Sequence, residues 1–216
     1  MTVRHHIGED TLLAYAAGST DEATGLIVAT HVSICPGCRA ALSDAEAVGG
    51  ALLEDEAPQP LGRNAWAQML CRLDEGAPGA SVTASPTAGM LPNPLCTYLG
   101  TGDPAALPWR WIGPGVRGVR VPLRGGRSRA ILLRIGAGRT MPAHGHGGIE
   151  LALVLAGGYV DESGRYRRGD VQEATPEIRH QPTVDPDEPC LCLLVSDAPL
   201  RFTAWWARLG GRLVGL

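Results

Sequence analysis

Apolar positions follow two different rhythms along the chain. From Glu9 to Glu75 they recur at helical spacing. Glu9 to Ala17 carries Leu12, Leu13 and Ala16 and closes at Gly18, the pattern of a short helix with a glycine stop. Ser19 followed three residues on by Glu22 has the form of a capping box, opening a second helix through Ile27, Thr30 and His31. After Cys35-Pro36-Gly37-Cys38 the pattern predicts a third helix to about Glu56, and Asn64 is placed to cap a fourth that ends near Glu75. In the fourth, Trp66, Met69, Leu70 and Leu73 form a one-sided apolar stripe. Such a stripe ordinarily faces a core; on a short, Pro-flanked, acidic helix it also suits burial in a partner.

Later in the chain the rhythm changes to short apolar runs: Ala130 to Ile135, Ile149 to Leu155, Val171 to Ala174 and Cys190 to Val195. Gly, Pro and Asp clusters separate them at hairpin-like intervals, which predicts a β sandwich or barrel. Between the two regimes, Gly76 to Pro94 (GAPGASVTASPTAGMLPNP) carries no charge and little that packs, the composition of a linker. The expected organisation is multi-domain α plus β: a small helical bundle over 1–75, a linker over 76–94 and a β domain over 95–216. No internal repeat is visible.

Composition narrows the picture. With 216 residues, 44% of them hydrophobic and 19% charged, the chain can bury one sizeable core or two small ones, which excludes a disordered or fibrous protein. No stretch reaches the ~18 consecutive apolar residues of a membrane helix, and the opening MTVRHHIGEDT has no apolar leader before its first acidic residues. A soluble, cytoplasmic protein with no membrane contact is expected. Charge is divided unevenly. Residues 1–75 hold 11 Asp/Glu against 4 Arg, a net of −7, while the remainder carries +4. All basic residues are arginines. Eight lie between Arg110 and Arg139 with no acidic residue among them, but neither interleaved stacking aromatics nor a recognition helix accompanies them. Direct nucleic-acid binding is therefore not expected; a solvated exterior or a surface for the acidic first domain is.

Six cysteines in a chain of this length, without a secretory leader, point to metal or redox use rather than disulfide staples. His31-x3-Cys35 sets an imidazole and a thiol one helical turn apart, and Cys35-x2-Cys38 turns through Pro-Gly to bring the second thiol to the same point. Cys38 falls at a helix start, where the dipole favours thiolate. Three ligands of a tetrahedral zinc site result, and His5 or His6 can supply the fourth by folding back over the helix junction. A redox Cys-x2-Cys pair or two unrelated buried cysteines are the competing interpretations; the redox motif normally follows a strand in a βαβ unit, which is missing here. A closed zinc site would hold the small domain together without doing chemistry.

At these residues the sequence resembles the zinc-binding anti-sigma family, with its His-x3-Cys-x2-Cys between two helices and an earlier histidine completing the site. The resemblance implies a structural zinc held by His31, Cys35, Cys38 and, by its place in MTVRHH, His6, with His5 the near alternative.

The second constellation, Gly138-x5-His144-x-His146-x3-Glu150-x6-Gly157, matches the first motif of the cupin family. Positions i and i+2 of a strand share a face, so His144 and His146 project together, and Glu150 joins them if the strand continues past Gly147-Gly148. The second cupin motif resembles Gly169-Asp170, Pro176 and His180, although the glycine after the proline is missing and the spacing to His180 is short. Three imidazoles and a carboxylate make a borderline site able to hold Zn, Fe, Mn, Ni or Cu. Cys190 and Cys192 share a strand face and are expected to be small core residues, with redox-sensitive thiols as the alternative.

The two constellations in this order, with Tyr15-Ala16-Ala17-Gly18, Ala29-Thr30-His31 and Asp197-Ala198-Pro199-Leu200-Arg201-Phe202, resemble the ChrR-type cytoplasmic anti-sigma factors over nearly the whole chain. That resemblance implies a regulator without catalytic residues that sequesters an ECF-type sigma factor, blocks its binding to RNA polymerase and releases it on an oxidative signal, such as singlet oxygen, sensed by the cupin domain. An acidic helical domain suits a basic, DNA-binding sigma factor. The rival from another class is a metal-dependent cupin dioxygenase or isomerase with an appended zinc module. A zinc-stapled DNA-binding regulator is disfavoured by the acidic first domain. The apolar tail from Trp205-Trp206 to Leu216 is expected to cover the barrel or a partner.

Overall fold

The computed structural model describes residues 2–74 and 91–199, and the backbone of 201–202. Five helices come first: α1 (Glu9–Ala16), α2 (Glu22–Ile34), α3 (Pro36–Glu54), α4 (Ala65–Asp74) and α5 (Asn93–Leu99). Twelve strands follow: β1 (Arg110–Gly113), β2 (Val116–Arg120), β3 (Arg129–Ile135), β4 (His144–Gly145), β5 (Glu150–Ala156), β6 (Gly158–Asp161), β7 (Gly164–Arg167), β8 (Val171–Ala174), β9 (Arg179–His180), β10 (Thr183–Val184), β11 (Cys190–Ser196) and β12 (Arg201–Phe202). They form a six-stranded sheet in the order β1-β2-β3-β11-β5-β8 and two three-stranded sheets, β10-β6-β7 and β12-β4-β9. All the pairings are antiparallel. The helical first part and the cupin-like β second part agree with the expected α plus β class.

Helix starts differ in detail from the pattern. Asp21, not Ser19, caps α2: its Oδ1 accepts from Thr24 N at 3.0 Å, while Ser19 Oγ donates back to Ala14 O and closes α1. Glu22 is thereby free of a capping-box role and reaches across to the β domain. At α3 the cap is Cys35, whose Sγ accepts from Cys38 N at 3.5 Å with Pro36 at the first helical position.

The central sheet is buried on both faces, which is why its strands read as continuous apolar runs. On β3, Ile131, Leu133 and Ile135 point into the barrel with Ala152 and Val154 of β5 and Cys190, Cys192 and Leu194 of β11. The alternate residues Leu132, Leu151, Leu153, Leu193 and Val195 face outward and join Leu26, Ile27 and Val28 of α2, Leu12 and Leu42 in one core. The helical part and the β part therefore share this outer core, while the barrel interior forms a second cluster of its own.

That core also corrects the far end of the linker. Leu91 is only 2% exposed and Leu95 of α5 fully buried, both packed in the shared core, so Leu91, assigned to the linker, belongs to the packed part of the chain. The rest of the linker segment and the tail from Trp205 lie outside the described residues.

Polar clasps fix the same interface. The N-terminal segment runs along β8, with Val171 N donating to His5 O at 3.1 Å. Arg4 N and His5 N both donate to Asp170 Oδ1, and Gly8 N to Glu173 Oε1 at 3.0 Å. Asp21 Oδ2 accepts from Ser128 N, and Glu22 Oε2 from Arg124 N and Gly125 N, with Tyr98 OH donating to Glu22 Oε1. The acidic domain thus meets the arginine-rich region through main-chain amides of the 124–128 loop. At Gly169 (φ 93°) a Cβ would stand 2.8 Å from Val3 Cγ2 and 3.3 Å from Ile34 Cγ2, so only glycine permits this approach of α2 to the β domain.

Candidate functional site

Two clusters of metal-capable side chains stand out among the described residues: His6, His31, Cys35 and Cys38, and His144, His146, Glu150 and His180. Within each, one ligand atom per residue lies within 4.8 Å of all the others.

The first cluster is built at the α2–α3 junction. His31 is on the last turn of α2, Cys35 ends that helix and caps the next, and Cys38 is on the first turn of α3. His6 closes the set, its Nδ1 standing 3.3 Å from Cys35 Sγ and 3.4 Å from Cys38 Sγ. His5 does not take part. In an extended segment neighbours project oppositely, and the His5 ring instead lies on Tyr166, with centroids 4.4 Å apart.

The electrostatics of this cluster suit a bound cation. His31 is fully buried, and apart from an interaction with the Gly169 backbone its ring nitrogens have no hydrogen-bond partner, a costly arrangement unless a metal takes the remaining lone pair. Burial lowers its pKa from 6.5 to about 4, so the imidazole is neutral and available as a ligand at physiological pH. For Cys38 the helix start does not prevail. Burial raises its thiol pKa, the Cys35 sulfur adds to the rise, and the Ile7 amide offsets only part of it. A thiolate there needs a cation as partner, and a donor set of two thiolates and two imidazoles fits zinc in a closed tetrahedral site.

The second cluster sits inside the barrel. β4 and β5 are separate strands in different sheets, so Glu150 does not continue the His144 strand; it enters the interior from the first position of β5, and all four side chains are buried. His180 arrives through β9, which pairs with β4 so that His144 and His180 are direct register partners. The imperfect second motif therefore delivers its histidine. Gly157, which ends the first motif, has φ 66°, and a Cβ there would lie 2.4 Å from Pro189 O.

Hydrogen bonds decide how these imidazoles present themselves. His180 Nδ1 is 2.7 Å from Asp161 Oδ2, and His144 Nδ1 is 2.8 Å from Pro142 O. Both partners accept only, so each Nδ1 carries the proton and each Nε2 offers a lone pair. The two Nε2 atoms face each other at 3.0 Å. Two lone pairs at that distance repel unless a cation binds them. His146 Nε2 is likewise buried without a hydrogen-bond partner, and His146 Nδ1 and Glu150 Oε2 have only each other, at 3.5 Å, so the residues fit a divalent metal.

Asp161 was invisible as a site residue in the sequence. Burial pushes its carboxyl up, but hydrogen bonds from Gln172, His180 and Ser163 outweigh this and hold it below the ordinary carboxylate value. It is the outer partner that orients a ligating histidine. Cys190 and Cys192 are buried in the barrel core, and Cys192 is pushed well above the usual thiol range by its Cys190 contact and by burial.

Away from both clusters, the far helices leave apolar surface bare. Trp66 (69% exposed), Met69, Leu70 and Leu73 on α4 and Val48, Leu52 and Leu53 on α3 are exposed, and α4 buries no residue. No single described helix is long and apolar enough to cross a membrane.

Comparison with known proteins places these features in a family. Residues 100–199 match the family described as ChrR Cupin-like domain. The chain is 42% identical over 211 residues to the anti-sigma-E factor ChrR of Cereibacter sphaeroides, covering 97% of each. The fold is similar to that in the crystal structure of Rhodobacter sphaeroides SigE in complex with the anti-sigma ChrR, with 37% identity and a TM-score of 0.79 over 91% of this chain and 100% of that one. With both clusters in place and similarity over almost its whole length, the chain belongs to the ChrR family of anti-sigma factors.

Proposed function

We propose that this protein sequesters an ECF-type sigma factor in the cytoplasm, keeps it from RNA polymerase, and releases it when the cupin domain meets an oxidative signal. The observation that carries the first step is the full-length similarity to a chain crystallised with its sigma factor. The bare apolar faces of α3 and α4 supply a surface for it. They stand on a domain of net charge −7, which steers a basic partner into contact.

In this reading the cysteine–histidine cluster binds zinc structurally, through His6, His31, Cys35 and Cys38, and stabilises the helix junction. The barrel cluster, through His144, His146, Glu150 and His180, holds zinc or another divalent metal. That metal would supply a Lewis-acidic centre where a small oxidant or ligand can bind. The chain's own residues do the rest: Asp161 and Pro142 O orient His180 and His144, and the shared core ties the barrel to α2. A signal changes sigma binding only if the two states of the cupin differ in their contacts with the helical domain.

The test is reconstitution. The purified chain should form a 1:1 complex with an ECF-type sigma factor and suppress transcription by core polymerase plus that sigma. Replacing His144, His146 or Glu150 by Ala should preserve inhibition but remove release under oxidative stress. Absence of a complex overturns the anti-sigma assignment, and normal release in every metal-depleted variant overturns the sensor role. Turnover of a small molecule that disappears in those variants would establish a cupin enzyme instead.

A further inference from the structure

The two clusters lie in different parts of the fold, yet one unbroken run of contacts joins them. It begins at His180, whose Nδ1 donates to Asp161 Oδ2 at 2.7 Å. The same oxygen accepts from Gln172 Nε2 at 2.7 Å. Gln172 Nε2 also lies 3.3 Å from Tyr166 OH, and Gln172 Oε1 accepts from Tyr159 OH at 2.9 Å. The Tyr166 ring then carries the ring of His5. His5 is held through its own main chain, its N–H donating to the Asp170 carboxylate and its carbonyl accepting from Val171 N, the two residues before Gln172. The next residue is His6, a donor of the first cluster.

Each link resists independent movement. Gln172, Tyr166, Tyr159 and His180 are buried, and the Asp161 side chain is shut from solvent. A donor or acceptor that broke away inside this network would be left unsatisfied, so a shift of one member is followed by the next. Gln172 has a particular place: its amide serves the barrel cluster, while its neighbours on β8 hold the segment that delivers His6.

We propose that Asp161, Gln172, Tyr166 and His5 form a coupling path through which occupancy of the barrel cluster of three histidines and a glutamate changes the metal affinity of the cysteine–histidine cluster at the helix junction. The inference rests on the reading that both clusters bind metal. Loading the barrel fixes the His180 ring, which fixes Asp161 and Gln172 and, through them, the seat of His5 and the approach of His6. Linkage makes the effect reciprocal: metal at the helix junction changes affinity in the barrel by the same factor.

Cobalt(II) tests this in the full-length chain, because thiolate-to-cobalt absorption marks the cluster of Cys35 and Cys38 and is not given by the three histidines and glutamate of the barrel. Its affinity is measured against a competing chelator in the wild-type chain and in His146→Ala, which disables the barrel cluster. A coupling of at least about 5-fold is expected between the two, the lower end of ordinary allosteric effects. The comparison is then repeated in a His5→Ala background. His5 is only partly buried and its main-chain bonds survive the change, so the chain stays folded while the ring contact is lost. There the coupling should fall to within about 2-fold of none, and His5→Phe, which keeps an aromatic ring on Tyr166, should restore it. Equal affinity in wild type and His146→Ala, with both clusters binding metal in wild type, overturns the path and leaves the proposed function standing. Undiminished coupling in His5→Ala also overturns it. Absence of the thiolate band overturns this inference together with the metal reading beneath it.

Discussion

His144 and His180 face each other Nε2 to Nε2 at 3.0 Å, each with its Nδ1 proton committed elsewhere. This pair makes the barrel cluster preorganised for the metal proposed there, and the orientation of His180 depends on Asp161. Replacing Asp161 with Asn keeps the shape but removes the charge that fixes the tautomer. The expected loss is about 10- to 100-fold in barrel metal affinity, the range for outer-sphere partners of a ligating histidine. Metal content after dialysis against graded chelator measures it, with the wild-type chain dialysed in parallel as the reference.

At the helix junction, the expected consequence of Cys35→Ser is the loss of one metal equivalent per chain and destabilisation of α2 and α3 by several kcal/mol, since binding energy at a structural site is folding energy. Cys35 is both a proposed metal ligand and the cap of α3, so the serine keeps the cap and isolates the metal term. Metal analysis with a thermal melt checks this; full metal content in Cys35→Ser would remove the assignment.

The two sites should also differ in pH dependence. A thiol binds metal as thiolate, and burial raises the pKa of the Cys38 thiol, so metal and protons compete at Cys38 throughout the neutral range. His31 contributes nothing to this slope, because it titrates only near pH 4. Affinity at the cysteine–histidine site should therefore rise with pH between about pH 6.5 and 8, by about 10-fold per unit for the proton displaced at Cys38. The barrel set has no thiol, so its slope should be shallower. Competition titrations at three pH values separate the two.

Much of the architecture was legible. The four helices fall where the apolar periodicity puts them, and the runs Ala130 to Ile135 and Cys190 to Val195 became β3 and β11. Those same runs held an unread message. Consecutive apolar residues on an antiparallel strand mean both faces are covered, and a lone barrel needs only one. The outer cover is α2, whose Leu26, Ile27 and Val28 belong to the same core as Leu132 and Leu193. Asp161 was not legible at all, because a hydrogen-bonding partner of a ligand comes from a distant hairpin and obeys no spacing rule. His5 and His6 are separated by strand alternation only once the segment is known to run along β8.

The shared core predicts that the helices and the barrel unfold together. Leu193→Ala opens a cavity between β11 and α2 at a fully buried position. It should cost about 2–5 kcal/mol and lower amide protection in α2 as much as in β11. Hydrogen exchange checks this; loss confined to the strands would show two separate cooperative units.

The bare stripe on α4 separates partner binding from stability. Trp66 and Leu73 are 69% and 66% exposed, and α4 has no fully buried residue, so removing their side chains takes away little packing among the described residues. A Trp66→Ser, Leu73→Ser chain should melt at the temperature of the wild type. If the stripe inserts into the sigma factor, the same pair of changes removes an aromatic anchor and an aliphatic one from the centre of the interface. Anchors of that kind are worth about 2 kcal/mol or more each, so affinity should fall by at least about 100-fold, mostly through faster dissociation. Salt should act on the other rate. The acidic surface of residues 1–75 speeds encounter with a basic partner, so raising ionic strength should slow association while leaving dissociation nearly unchanged. Surface-immobilised sigma factor with wild-type and variant chains at two salt concentrations resolves both rates. Unchanged dissociation in the variant would move the docking surface away from α4, and the exposed Val48, Leu52 and Leu53 of α3 would be the next residues to replace.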